Sequence, residues 1–119
     1  PRPFSQDALR ILNNRYKVII ATIPWRQVPE YLDSKLRWLE TYYDFISPSQ
    51  VSFQKDKWNI PGEFIIDDKP DTLLKCRETK ITIKASQPYN TNVEADFAFG
   101  SWDNVPRLFR YIDKVMEGA

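Results

Sequence analysis

The sequence predicts an α/β fold with a mostly parallel sheet between helical layers, formed by a single domain over residues 1–119. Apolar, β-branched runs carry much of that expectation. The longest, YKVIIATI from Tyr16 to Ile23, reads as a strand buried on both faces. Such runs alternate with segments of helical periodicity, which implies right-handed crossovers and a three-layer sandwich. Polar residues gather where the apolar runs stop, at the carboxyl ends of strands, where open α/β sheets bind their ligands.

The elements follow in order. Phe4 to Asn14 predicts a helix, with Phe4, Ala8, Leu9, Ile11 and Leu12 at helical spacing, Ser5 as N-cap and Asn13-Asn14 as the stop. Pro24 ends the strand Tyr16 to Ile23, which puts Thr22 at its carboxyl end. Pro29 to Tyr43 is a second helix with Tyr31, Leu32, Leu36, Leu39 and Tyr43 along one side. Gln50 to Gln54 is a short strand, followed by the charged turn Lys55-Asp56-Lys57. Glu63 to Ile66 is the strand that delivers Asp67 and Asp68, after which Pro70 and Asp71 open a turn. Asp71 to Arg77 reads as a short helix, Lys80 to Lys84 and Asp96 to Phe99 as strands, and Pro88 to Asn92 as the loosest loop. The last helix is capped by Asn104, tolerates Pro106 in its first turn, and carries the stripe Leu108, Phe109, Ile112, Val115 and Met116.

Composition narrows the function. An apolar share of 42% supports a packed core. Seventeen basic residues nearly cancel sixteen acidic ones, and a net charge of +1 gives no electrostatic case for nucleic acid or an anionic membrane. Four tryptophans and six tyrosines could stack on bases, but no basic surplus is present to hold a phosphodiester backbone. Trp38 and Trp102 fall in helical patterns and read as core, whereas Trp25 and Trp58 flank the strand ends that carry the chemistry. The single cysteine, Cys76, suits a reducing, cytoplasmic compartment. No apolar run approaches the roughly 18–20 residues of a membrane span. With no histidine, Ser-His-Asp and Cys-His catalysis are excluded, and chemistry falls to carboxylates, lysines, hydroxyls and a metal. The chain starts at Pro1 and its only methionine is Met116, so an upstream segment or a second polypeptide is expected.

The segment Phe64-Ile65-Ile66-Asp67-Asp68-Lys69-Pro70-Asp71 is the most informative. Two adjacent carboxylates at a strand end are costly to crowd unless a cation lies between them. A hard ion such as Mg²⁺ takes oxygen ligands and bridges to substrate phosphate. In a parallel sheet Thr22, the Lys55/Lys57 turn and Asp67/Asp68 share one edge, which is the set that phosphoryl transfer requires. Each residue also has a plain reading: Asp67-Asp68 as a turn or cap, Thr22 as strand, Lys57 as surface charge.

The order Thr22, Lys57, Asp67-Asp68 resembles motifs two, three and four of the haloacid dehalogenase (HAD) superfamily, and more narrowly the 5′(3′)-deoxyribonucleotidase family. The resemblance runs through VIIATIP (Val18 to Pro24), KLRWLETYYDFI (Lys35 to Ile46), KDKWNIPGEFIIDDKPD (Lys55 to Asp71), IKASQPYN (Ile83 to Asn90) and SWDNV (Ser101 to Val105). It implies that Thr22 hydrogen-bonds the transferring phosphoryl group and that Lys57 neutralises that group and the attacked carboxylate. Asp67 would ligate Mg²⁺ with Asp68 in support, and Asp68 would share in the catalytic set. Lys35 matches a lysine lying towards the phosphate substrate, and Lys55 and Lys69 occupy positions often basic in the family. Ile23 takes the next phosphate-binding position, where relatives carry a small or hydroxylated residue.

An absence is equally informative. The family's first strand carries Asp-x-Asp, nucleophile and general acid/base, and no Asp-x-Asp occurs in this chain. The Phe4 helix matches the segment after the family's small cap, so the sequence reads as truncated at its amino terminus. In the family's sheet the missing strand is central, flanked by the Thr22 and Asp67 strands, which must then pair with each other or leave open edges. The resemblance thus implies a Mg²⁺-dependent phosphatase for nucleoside monophosphates, acting through an aspartyl-phosphate, with Asp-x-Asp supplied by an N-terminal segment or second chain. This chain alone is expected to be inactive. A homodimer is compatible with the sequence, as are a non-catalytic relative serving as a binding partner and a phosphatase for another small phosphate ester.

Overall fold

Strand pairing in the computed structural model, which describes residues 2–22 and 30–118, is parallel throughout. The elements are α1 (Ser5–Arg15), β1 (Ile20–Thr22), α2 (Glu30–Tyr42), β2 (Val51–Phe53), β3 (Phe64–Asp67), α3 (Pro70–Cys76), β4 (Ile81–Ala85), β5 (Phe97–Phe99) and α4 (Val105–Glu117). Helices and strands alternate as the periodicity predicts, and each expected element is present. The α/β class therefore holds.

The sheet itself is divided. β1 pairs with β2, Thr22 opposite Phe53. β3, β4 and β5 form a separate sheet in that order, with Asp67 opposite Lys84. β1 and β3 do not pair with each other. Between them lies a cleft of about 810 Å³, walled by Ile20 and Ala21 on one side and by Phe64, Ile66 and Asp67 on the other. Of the two outcomes expected for these strands, the open edges are the one observed.

Two apolar clusters match the two sheets. α1 and α4 cover the larger sheet, burying Ala8, Leu12, Val105, Phe109 and Ile112 around Ile83 and Phe99. α2 covers the smaller one through Leu39, Tyr43 and Ile46, with Ile20 and Val51 packed against them. α3 contacts β3 and β4 and fully buries Leu73 and Cys76.

Several local expectations are corrected. Ser5 is the first residue of α1 and not its cap, because its hydroxyl donates to the Arg2 carbonyl (2.7 Å) and meets the Tyr43 hydroxyl (2.7 Å). The flanking residue is Phe4, left-handed at φ 66° and exposed. Asn104 makes no side-chain cap, since a 3₁₀ turn over Trp102–Asn104 already leads into α4. The strand expected from Tyr16 forms a ladder only over Ile20–Thr22, because β2 offers just three partners. Ile11, Val115 and Met116 are exposed: α1 and α4 dock through narrower stripes than their apolar sequence allows.

Candidate active site

The FIID run ends β3 at Asp67, and the chain turns there because Asp67 makes its own turn. Its Oδ1 accepts the backbone N–H of Asp68 (2.7 Å) and of Lys69 (3.0 Å). This is the local side-chain turn that aspartate favours. Pro70 then starts α3 at a position where its missing N–H costs nothing. The turn reading and the functional reading therefore apply to the same side chain, through different oxygens. The second oxygen, Oδ2, accepts from Lys57 Nζ at 3.3 Å.

Lys57 opens a 3₁₀ turn after β2, so two sheets separated by a cleft are joined electrostatically at their carboxyl ends. The side chains are 16% and 6% exposed, which makes this a largely desolvated pair. Both residues line the cleft. An ammonium and a carboxylate in a sheltered cavity at strand ends suit the binding of a phosphoryl group.

Asp68 points elsewhere. Its carboxylate accepts from the Tyr89 hydroxyl and lies 3.9 Å from the Arg2 guanidinium. Burial alone would raise its pKa, but the Tyr89 and backbone hydrogen bonds and the Arg2 charge together hold the carboxyl below the usual range. The Tyr89 phenol is raised in turn, chiefly by its hydrogen bond to Asp68. Each carboxylate thus has its own partners. The described residues hold no group of three or more His, Cys, Asp or Glu side chains placed to ligate a metal. Two hard oxygen donors nonetheless fit Mg²⁺, which uses one or two carboxylates and completes its shell with water and phosphate.

The remaining expected residues lie as follows. Thr22 is buried at the end of β1, and its carbonyl accepts Gln54 N–H at 2.9 Å. It is thus on the same strand-end side as Lys57, but the Lys57–Asp67 pair forms without it. Lys35 Nζ sits 4.5 Å from the centre of the Trp38 ring on α2 and is not among the residues that line the cleft. Lys55 and Lys69 are exposed. Ile23 and Trp25 lie outside the described residues. Trp38 packs on Tyr42 and Tyr43, and Trp102 on Phe99, as core residues. The Trp58 ring is covered by Lys75 Nζ at 4.5 Å.

Sequence reasoning missed the loop after β4. Pro88 to Asn92 reads as loose because of its composition, yet Asn90 is 1% exposed. Its Nδ2 donates to the carbonyls of Asp68 (2.8 Å) and Ala85 (3.0 Å), and its Oδ1 accepts Gln87 N–H (2.9 Å). Lys84 Nζ holds the far side of the loop through the carbonyls of Asn90 (3.1 Å) and Val93 (2.8 Å). The available signal was a Tyr-Asn pair just past a strand parallel to the acidic one.

Comparison with known proteins agrees with the geometry. Residues 1–115 match the family model described as 5′ nucleotidase, deoxy (pyrimidine), cytosolic type C protein. A Staphylococcus epidermidis protein provisionally named a 5′(3′)-deoxyribonucleotidase is 30% identical over 112 residues, 94% of this chain and 61% of that protein. The 5′(3′)-deoxyribonucleotidases of Bacillus subtilis and of Bacillus phage SPbeta are each 30% identical over 103 residues, 87% of this chain and 58% of theirs. The chain therefore spans about three-fifths of the length of the curated relatives it matches. With parallel strands, the Lys57–Asp67 pair at their ends and a family match over nearly its whole length, this chain belongs to the type C deoxynucleotidase family of HAD-like proteins.

Proposed function

We propose that this chain forms the larger part of a Mg²⁺-dependent phosphatase that hydrolyses (deoxy)nucleoside monophosphates. The observation that carries this reading is the sheltered Lys57–Asp67 pair in the cleft at the strand ends. Lys57 binds the phosphoryl oxygens and Thr22 orients one of them. Asp67, with Asp68 in support, holds the cation. Mg²⁺ supplies neutralisation of phosphate charge when bound. The relatives' names support a nucleotide substrate, and the lone, fully buried Cys76 suits a cytoplasmic setting.

In this reading the attacking carboxylate comes from a strand outside the chain that pairs with β1 and β3 at once. The open edges, the cleft between them and the two-fifths of the relatives that have no counterpart here support it. That carboxylate takes the phosphoryl group and releases the nucleoside hydroxyl, and water then frees phosphate. The test is phosphate release from deoxynucleoside monophosphates with Mg²⁺, first by the isolated chain and then with the part of the Bacillus subtilis relative that this chain does not match added as a separate polypeptide. Activity is expected only in the second case. Turnover by the chain alone would overturn the missing-strand reading, and activity unaffected by Lys57→Met would overturn the phosphate site. Another small phosphate ester as substrate would appear as a shifted preference in the same assay. A second reading, a non-catalytic binding partner, is favoured by the engagement of Asp68 with Tyr89 and Arg2, and requires that Mg²⁺ does not bind.

A further inference from the structure

Tyr89 and Asn90 are consecutive, yet their environments are opposite: Tyr89 is 57% exposed and Asn90 is buried. Both reach the same residue. Asn90 donates to the main-chain carbonyl of Asp68, and Tyr89 donates to its carboxylate. The Asp68 carbonyl lies one residue past the end of β3, and that of Ala85 lies at the end of β4. One buried carboxamide joins the two. Buried amides are tolerated where their hydrogen bonds are made, and here both the donor and acceptor sides of Asn90 are used. Lys84, whose Cα pairs with that of Asp67, anchors the loop from its other side.

We propose that Tyr89 and Asn90 are positioning residues for the acidic turn: Asn90 fixes the main chain of Asp68, and Tyr89 aims its carboxylate. The inference rests on the reading of Asp67-Asp68 as a cation site, which nothing else on this loop requires. An outer-shell hydrogen bond that orients a carboxylate replaces freedom the side chain would otherwise lose on binding. The loop after β4 is thus part of the site although none of its residues lies on the Lys57 side of the cleft.

The test uses the full 119-residue chain, with Mn²⁺ as the probe, read by loss of the free-ion electron paramagnetic resonance signal. Tyr89→Phe removes one exposed hydroxyl and is expected to fold as wild type while binding Mn²⁺ about tenfold more weakly. Asn90→Asp keeps the acceptor for Gln87 N–H but loses both donors. In the metal-free protein it is expected to speed amide exchange of Asp68 and Lys69 by about tenfold, with Gln87 and the β4 amides unchanged. A merely structural tie would instead raise exchange through Gln87 and β4 together. Unchanged exchange at Asp68 and Lys69 overturns the role of Asn90, and unchanged Mn²⁺ affinity in Tyr89→Phe overturns that of Tyr89. A wild-type chain that takes no Mn²⁺, or an Asp67→Asn chain that binds it normally, refutes the cation reading instead. The metal-free exchange result then still decides whether Asn90 holds the turn.

Discussion

Removing Lys57 is the sharpest single perturbation of this structure. Lys57→Met preserves the length and apolar stem of the side chain and deletes its charge, leaving the Asp67 carboxylate 6% exposed without its cation. Breaking a fully buried pair by deleting one partner costs about 3–5 kcal/mol. Two features reduce that figure: Lys57 keeps some solvent contact, and Asp67 retains two backbone N–H bonds. The expected loss is therefore about 1–3 kcal/mol. Asp67→Asn retains an acceptor for those N–H groups and removes the charge, so the double variant should recover part of the loss. Urea unfolding of the wild type, both single variants and the double variant gives the pair's coupling energy, expected at about 1–2 kcal/mol. A coupling below about 0.3 kcal/mol, the scale of an exposed pair, would refute the claim that this ion pair is desolvated.

Three other outcomes follow from the packing and the charges. Ile83 is completely buried in β4, so Ile83→Val should cost about 0.5–1.5 kcal/mol and Ile83→Ala about 2–5 in the same urea assay, whereas Met116→Lys on the exposed face of α4 should stay within about 0.5. The Asp68 carboxyl is held below its unfolded value of about 3.9, so its stabilisation is complete above that pH and is lost as pH falls through the folded pKa. The stability gap between wild type and Asp68→Asn should thus be full at neutral pH and close in acid; a gap independent of pH would contradict this. Cys76 is fully buried and burial pushes its thiol up, so an aromatic disulfide reagent should label it only at the rate of unfolding.

The sequence made the secondary structure legible because its periodicities are strong and punctuated: β-branched runs stop at Pro24 and at Asp67, and helices begin near Pro29, Pro70 and Pro106. Lys57 and Asp67 were legible because a strand and a short turn separate them, so that one sheet edge fixes both. Helix docking was less so. Ile11, Val115 and Met116 are apolar and correctly spaced, but which part of an apolar stripe meets a neighbour depends on tertiary placement. The same holds for Asn90, whose burial follows from two carbonyls supplied by different strands. Ser5 shows the limit most directly, since a hydroxyl suited to capping α1 is taken instead by Tyr43, thirty-eight positions away.

The divided sheet bears on how the molecule unfolds. Among the described residues the two apolar clusters share only Leu9 and Val18 packed against both, so most of each cluster's packing is internal to it. Cooperativity between the halves then rests on those shared residues, on the hydrogen bonds between α1 and Tyr42, Tyr43, Phe45 and Gln50, and on the Lys57–Asp67 pair, and the half built on β1, β2 and α2, with the smaller cluster, is the one expected to open first. A strand seated between β1 and β3 would add two ladders between the halves and fuse two cooperative units into one. Its binding would register as a rise in melting temperature that depends on strand concentration. It would also merge two hydrogen-exchange regimes into a single one, so that the fold's wholeness becomes a property of its occupancy.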